Sequence, residues 1–455
     1  MNNLRIPPLL KEIALVFSAA GKEVYLVGGA VRDLLLGQNP ADWDLATNAR
    51  PEEVMGLFRR VIPTGIKHGT VTIRYRDVSI EVTTFRTESR YSDGRRPDEI
   101  RYASTIEEDL SRRDFTMNAA ALRLPGGELA DPFNGRGDIR RRLIRCVGRA
   151  EERFGEDGLR PMRAVRFAAQ LDFDLEERTL AAIPGALATT ARVAAERIRE
   201  ELDKTILSPR PQTGFIIMEE TGLLKLILPE LEACRGVEQR GYHRFDVLDH
   251  SLLACAYAAR AGFSREVTMA ALFHDLGKPA ARRLDEQRGI WTFYNHEAIS
   301  AALTEGILRR FRYPNAVIDR VLHLITAHMF HYEENWKDAA VRRFIMRTGT
   351  DSLEDLFRLR MADTAGMSGE DPDPRSLLPL HKRIESVLAK GGAFSLRDLA
   401  VNGRDLMAAG VAPGKRVGII LQELLEAVVD DPGLNNKEKL LEITNNINRR
   451  YINGP

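Results

Sequence analysis

Hydrophobic and polar positions follow two regimes along the 455 residues. Up to about residue 85, helix and strand periods are mixed. Lys11–Ala20 predicts a short helix, Glu23–Val27 a strand, and Ala30–Leu36 a helix opened by Gly28-Gly29. Thr70–Tyr75 and Val78–Phe85 predict the arms of a β-hairpin around a turn at Arg76-Asp77. In the second arm Val78, Ile80 and Val82 alternate with Ser79, Glu81 and Thr83, the period of a half-buried strand. Residues 86–101, RTESRYSDGRRPDEIR, are polar and carry Gly and Pro, which predicts a mobile loop. From about residue 150 the helical period dominates, with breaks at Pro184-Gly185, Ser208–Pro211 and Gly241. Gly366–Arg375 (GMSGEDPDPR) reads as an inter-domain linker. No internal repeat or low-complexity tract interrupts the pattern.

Length suggests roughly three domains. Hydrophobic residues at 44% and charged residues at 29% are ordinary for a globular protein. With 66 Lys+Arg against 65 Asp+Glu, the net charge of +1 argues against a histone-like basic protein. No apolar run reaches the roughly 18 residues of a membrane span. The stretch IALVFSAAG after Lys11 and Glu12 is too short, and too charged in its flanks, for a signal peptide. Cys146, Cys234 and Cys255 form no CxxC pair, so a reducing cytoplasm is expected. Two details change the picture. Only 12 of the 66 basic residues are Lys, and seven of the 9 histidines fall between His243 and His331.

The segment 25-YLVGGAVRDLLLG-37 sets Gly28-Gly29 between a strand and a helix, where backbone N–H groups can meet a phosphate; a plain tight turn is the alternative. Asp42-Trp43-Asp44 follows. If it is a strand, alternation puts both carboxylates on one face, a pair suited to Mg²⁺, whereas alone it would be a solvated acidic turn. Glu81 is either a third carboxylate or an exposed strand residue.

GGAVRD followed by DWDLAT resembles the class II tRNA nucleotidyltransferases of the polymerase-β superfamily, the CCA-adding enzymes and bacterial poly(A) polymerases. The strings 112-RRDFTMNAAAL-122, 131-DPFNGRGDI-139, 156-EDGLRPMRAVRFAAQLDF-173 and 196-ERIREELDKTI-206 follow in that family's order. The resemblance implies an α/β head of the polymerase-β nucleotidyltransferase type, then an extended all-α neck, body, HD region and tail. It implies that Asp42 and Asp44 are catalytic and hold Mg²⁺, and that Gly28, Gly29, Arg32 and Arg113 bind nucleotide. The substrates would be CTP, ATP and a tRNA 3′-hydroxyl, with pyrophosphate leaving. The expected segments are a head at 1–145, a neck at 146–210, a body connection at 211–240, an HD domain at 241–370 and a tRNA-binding tail at 371–455.

Base choice without a template has a physical rationale. Cytosine and adenine both show an amino donor beside a ring-nitrogen acceptor, which a carboxylate and a guanidinium complement. Asp157 and Arg160, three apart on a helix, can present that pair, and the resemblance gives them this role with Arg163 and Arg166 nearby. An ordinary surface ion pair is the alternative. Pro161, tolerated only in a first helical turn, puts Asp157 at or beside the N-cap. From Asn134 to Arg166 ten Arg face five acidic residues, a local charge of +5 hidden by the overall neutrality.

His250, His274-Asp275 in LFHDLGK, His296, His328 and Asp363 form an ordered ligand series in helical patterns. The series resembles an HD-type phosphohydrolase domain. It implies a mono- or binuclear site for a first-row metal (Mn, Ni, Co or Fe) and hydrolysis of a phosphomonoester or cyclic phosphodiester, unless the domain is an inert scaffold. His323 and His331 fall off the pattern, and His243 has no role.

The tail 395-SLRDLAVNGRDLMAAGVAPGKRVGIILQELLEAVV-429 resembles the same family's C-terminal tail, with Gly414–Val417, Lys415 and Arg416 able to hold an RNA phosphate; a helical hairpin with ordinary caps is the alternative. The loop at 86–101 resembles one that CC-only members lack. Full CCA addition is therefore expected, with A-only addition or poly(A) synthesis as alternatives. A degenerate head with a working HD site, and a non-catalytic tRNA chaperone, are the rivals from other classes.

Overall fold

The computed structural model describes residues 6–89, 99–239 and 244–453. It divides into two compact units, Met1–Glu232 and Ala233–Pro455.

The first unit opens with helix Pro8–Ala19, which buries Leu10, Ile13, Ala14 and Phe17 along one stripe. A seven-stranded sheet follows. Its strands are β1 (Val24–Val27), β2 (Asp44–Thr47), β3 (Val61–Gly65), β4 (Thr70–Tyr75), β5 (Val78–Thr84), β8 (Ala121–Arg123) and β9 (Leu129–Ala130), in the order β3-β4-β5-β2-β1-β8-β9. Period-2 alternation sorts the side chains. Leu26, Leu45, Ile73 and Val82 join Phe17 in one core, while Tyr25, Val27, Ala46 and Phe85 pack on the opposite face. The expected hairpin is present, with Tyr75 opposite Val78.

The ends of the expected loop are structured. β6 (Arg86–Ser89) pairs with β7 (Glu99–Tyr102), and the remainder, 90–98, lies outside the described residues. The unit closes with helices Ala150–Glu156, Arg160–Leu171, Ala195–Ile206 and Pro211–Glu220. Arg160–Leu171 is buried along most of its length because the last two helices both pack on it.

The second unit is almost wholly helical. Val247–Arg260, Arg265–Phe273, His296–Arg310, Asn315–Ala327 and Leu353–Ser368 make its first bundle. A small hairpin, Arg283–Asp285 with Ile290–Thr292, went unforeseen. The expected linker at 366–375 falls inside this unit, and Gly366, Met367 and Ser368 finish a helix instead. The tail motif forms helix Gly403–Ala408, capped by Asn402 and stopped near Gly410, then helix Lys415–Asp430. Their shared core holds Leu406, Ile420, Leu424, Val428 and Leu440. Among the described residues no helix is long and apolar enough to cross a membrane. His243 and the break expected at Gly241 lie outside the described residues.

Candidate functional site

Two arrangements stand out, one in each unit. In the first unit a cavity of about 460 Å³ opens beside the end of β1. Gly28, Gly29, Arg32, Asp44, Arg113, Asp157, Arg160, Arg163 and Arg166 all line it, so nine of the ten residues expected at the nucleotide site meet there. Asp42 is exposed in a bend ahead of β2 and is not among the lining residues.

The strand–Gly-Gly–helix junction creates the opening. Gly28 has φ 71° and ψ −139°, a conformation reserved for Gly, and a Cβ there would sit 3.0 Å from Arg113 Nη1. The backbone is thereby kept close to a guanidinium that burial itself pushes down in pKa. Asp109, fully buried, holds this arginine region through Arg112 (2.8 Å) and Arg113 (3.5 Å), and accepts the Arg86 N–H at 3.3 Å.

Six Arg face three Asp in the lining, which favours a polyanion. Phe167 gathers three of the guanidiniums over its ring, Arg166 at 3.9 Å, Arg32 at 5.2 Å and Arg163 at 5.4 Å from the centroid. Asp114 accepts from Arg163 Nε at 2.7 Å and from Asn118 at 3.2 Å. Burial works against its charge, yet Arg163 and these bonds bring its pKa down to about 2. Buried Glu201 pairs with Arg166 at 2.7 Å, whose pKa burial still lowers to about 10.

The carboxylates are compensated only in part, Asp44 by Arg113 and Glu81 by Arg86. Asp44 and Glu81 are register partners on β2 and β5. Burial raises both pKa values, and like charge adds to it, Asp42 acting on Asp44 and Asp44 on Glu81. Accumulated negative charge of this kind fits a hard divalent cation. Glu81 does not join Asp42 and Asp44 in one converging set of three oxygens among the described residues. The two Asp residues also do not share a strand face, because β2 begins only at Asp44.

The expected Asp157–Arg160 geometry is corrected. The two do not lie on one helix, since Asp157 closes Ala150–Glu156 and the next helix starts at Arg160 with Leu159 as its N-cap. Gly158 stands in the break, where a Cβ would lie 2.5 Å from Thr189 O. Pro161 does stand in the first turn, as its chemistry requires. Asp157 is held by Arg197, at 3.2 and 2.8 Å. Arg160, only 7% exposed, donates to Glu156 at 2.6 Å and to the carbonyls of Arg153 and Arg112. Both side chains face the cavity, each tied to a different partner. Sequence reasoning missed Phe167, Asp114, Asp109, Arg197 and Glu201. Four of these five stand inside the quoted strings, where only their tertiary partners reveal a role.

In the second unit His250, His274, Asp275, His296, His328 and Asp363 come together, none more than 5% exposed. Two triads share Asp275: His250, His274 and Asp275, and Asp275, His296 and His328. Asp275 Oδ2 lies 3.2 Å from His250 Nε2 and 3.3 Å from His274 Nε2, and Oδ1 lies 3.2 Å from His296 Nε2. Asp363 Oδ1 is 3.3 Å from His250 and 3.4 Å from His274. Lys278 Nζ approaches Asp275 at 2.6 Å.

Three rings are oriented by their backbone. Nδ1 of His274, His296 and His328 faces the carbonyls of Ala271 (2.9 Å), Phe293 (2.8 Å) and Ile325 (2.6 Å). Donation from Nδ1 fixes the tautomer and turns each Nε2 lone pair inward. His250 and His274 Nε2 then stand 3.1 Å apart, and those of His296 and His328 3.4 Å. Converging lone pairs repel unless a proton or a cation lies between them. Against the effect of burial, Asp275 and Asp363 push His274 up to about 10, whereas burial brings His328 down to about 3. The donor set fits one or two first-row metal ions. His323 binds the Thr348 carbonyl at 2.6 Å and His331 is exposed, both outside the cluster as expected.

Comparison with known proteins adds the following. Residues 24–145 match the poly A polymerase head domain, 172–235 a probable RNA and SrmB-binding site of polymerase A, and 282–444 a putative tRNA nucleotidyltransferase domain 2. The chain is 35% identical over 435 residues to the CCA-adding enzyme of Lactobacillus johnsonii, covering 96% of this chain and 95% of that protein. The crystal structure of the Bacillus stearothermophilus CCA-adding enzyme in complex with CTP superposes with a TM-score of 0.73 at 32% identity, over 99% of this chain and 100% of that one. The Thermotoga maritima CCA-adding enzyme complexed with tRNA shares the fold, with a TM-score of 0.59 at 19% identity over 98% and 97% of the two chains.

Proposed function

The chain belongs to the CCA-adding enzyme family, and on that premise we propose that it adds C, C and A to tRNA 3′ ends from CTP and ATP without a nucleic-acid template. The observation that carries the reading is the arginine-rich cavity where the Gly28-Gly29 turn, Asp44 and the Asp157–Arg166 segment meet. In the transfer, the RNA 3′-oxygen forms a bond to the α-phosphorus as the bond to pyrophosphate breaks.

Each part of the lining has a task. Gly28 and Gly29 bring backbone close to the triphosphate, and Arg32, Arg113, Arg163 and Arg166 bind its oxygens. Mg²⁺ held by Asp42 and Asp44 would supply the charge that steadies the attacking and leaving oxygens. Asp157, kept in place by Arg197, accepts from the amino group of C or A, and Arg160 donates to the ring nitrogen after exchanging Glu156 for the base. Lys415 and Arg416 at the start of the Lys415–Asp430 helix hold a phosphate of the tRNA body.

Incorporation assays test the reading. A tRNA ending before CCA takes up labelled CTP, and one ending in CC takes up labelled ATP. ATP uptake at CC alone identifies an A-adding enzyme, and long A tracts on any RNA a poly(A) polymerase. No uptake of either nucleotide refutes the proposal.

A second reading rests on the inward-facing imidazoles. We propose that the cluster of His250, His274, Asp275, His296, His328 and Asp363 binds a first-row divalent metal and hydrolyses a phosphomonoester or cyclic phosphodiester. The metal would supply the charge that polarises the phosphoester. Elemental analysis of the purified protein, with His274→Ala as control, finds one or two bound ions that the variant loses. A metal-free protein that gains no thermal stability from Mn²⁺, Ni²⁺, Co²⁺ or Fe²⁺ contradicts the reading.

A further inference from the structure

Arg360 lies outside the histidine cluster but touches two of its members, which come from different elements. It stands on helix Leu353–Ser368, three residues before Asp363 and on the same face. Its side chain is 20% exposed. Nη1 donates to Asp363 Oδ2 at 3.2 Å. Nη2 divides its two hydrogens between the carbonyls of His328, at 2.9 Å, and Phe330. The guanidinium also covers the Phe330 ring, 4.5 Å from its centroid, and that ring packs on Phe344 and Phe357.

The first contact aims a carboxylate. Asp363 turns Oδ1 inward, 3.3 Å from His250 Nε2 and 3.4 Å from His274 Nε2. Its other oxygen is taken by Arg360, so the carboxylate rotates only by breaking that bond. Lys278 makes the contrast. It binds Asp275 Oδ2, the same oxygen that faces His250 and His274, and so competes with an ion for it. Arg360 leaves the inward oxygen of Asp363 free of competition. The helix backbone is fixed separately, for Gly366 packs so closely that a Cβ would lie 2.6 Å from the His250 carbonyl oxygen. With the backbone held, the side-chain torsions of Asp363 are the remaining freedom, and Arg360 restrains them.

The second contact holds His328 from its backbone. Helix Asn315–Ala327 stops at His328, and carbonyls of a last turn have no partner within their helix. The His328 carbonyl is met by Arg360 Nη2 and by the Phe330 N–H at 3.0 Å. A cation at a helix C-terminus is ordinary capping. Here the capped residue is itself a candidate ligand. Its Nδ1 is engaged by the Ile325 carbonyl at 2.6 Å, so backbone and ring are both fixed, and Nε2 points toward His296 and Asp275.

We infer that Arg360 is a positioning residue of the histidine–aspartate centre, which aims Asp363 Oδ1 and His328 Nε2 at a first-row divalent ion. The inference rests on the metal reading of that cluster. Two effects of the guanidinium oppose each other: its charge repels a cation, and its donors fix two of the six ligands. Orientation wins, because the charge is spent on the outer oxygen of Asp363, whereas the partners that orient metal ligands contribute about 10- to 100-fold in affinity.

The test titrates the metal-free full chain with Co²⁺, as wild type, Arg360→Met and Arg360→Lys. Affinity is read by competition with a chromophoric chelator, and ligand geometry by the visible d–d spectrum per bound ion. Thermal melts establish that each metal-free protein is folded at the assay temperature. Arg360→Met binds Co²⁺ about 10- to 100-fold more weakly and with a shifted spectrum. Arg360→Lys, which keeps the charge but not the fork, falls between Met and wild type. Tighter binding by Arg360→Met overturns the inference, since the guanidinium then acts only as a repelling charge. Unchanged affinity and spectrum overturn it in favour of a plain helix cap. Weaker binding with an unchanged spectrum and a lowered thermal midpoint overturns it in favour of a general loosening of the fold. If Arg360→Met does not fold, Arg360→Lys decides by the same two readouts. Wild-type protein that takes up no Co²⁺ refutes the metal reading and this inference with it, whereas variants that match a metal-binding wild type refute the inference alone.

Discussion

Arg197→Ala probes base selection without touching a residue that lines the nucleotide cavity. Arg197 donates twice to Asp157, at 3.2 and 2.8 Å, with about a quarter of its own side chain exposed and 18% of the aspartate's. A hydrogen bond to a charged group contributes about 1.5–3 kcal/mol, and partial exposure moves this bidentate pair toward the lower end. A loss of about 1.5–2 kcal/mol in Asp157 placement corresponds to a roughly 10- to 30-fold fall in kcat/KM. The fall applies to CTP and ATP alike, because both bases present the same amino donor. Freed from its clamp, Asp157 also discriminates less well against UTP and GTP, whose corresponding group is an acceptor. The assay is single-nucleotide incorporation on matched tRNA substrates with each of the four nucleotides, with a thermal melt to establish folding. Arg197→Lys, which keeps the charge but not the fork, falls between wild type and Ala. A folded Arg197→Ala protein with unaltered kcat/KM and unaltered rejection of UTP refutes the reasoning.

Asp114 links pH to stability. Its folded pKa of about 2 lies below the ordinary 3.8, so its contribution of about 2 kcal/mol is present above pH 4 and is lost as the pH falls toward 2. Asp114→Asn removes that stability at pH 7, and urea melts from pH 7 to 3 show a flatter acid slope for the variant. Gly28→Ala must accept φ 71° and a contact 3.0 Å from Arg113 Nη1. It loses about 1–3 kcal/mol by denaturant melt, with a raised KM for both nucleotides.

Local chemistry made part of this molecule legible. The hairpin around Arg76-Asp77 was readable because Val78, Ile80 and Val82 alternate, and β5 then brings Glu81 level with Asp44. The β6–β7 ladder was not, because its sequence is mostly polar and shows no hydrophobic alternation to set a period. The spacing of three between Asp157 and Arg160 suggests one helix, but Gly158 lies between them against Thr189. The lack of a Cβ at Gly158 is needed by Thr189, thirty-one residues later, a contact no local window contains. The convergence of the six His and Asp side chains was readable from their ordered series, anchored by His274-Asp275 in LFHDLGK, and helices bring them together. Asp109 shows the opposite limit. Buried within a run of charged residues, it reads as surface until the structure sets Arg112, Arg113 and the Arg86 N–H around it.

The central claim is that one arginine-lined cavity in the first unit adds a defined triplet to RNA. The direct test supplies the full-length protein with tRNA lacking CCA, CTP, ATP and Mg²⁺, and resolves the product at single-nucleotide length. The account predicts growth by three nucleotides, C, C and A, and then arrest, with no growth by Asp44→Ala. Wild-type product that stays at its starting length, or that extends into a ladder of A residues, contradicts it.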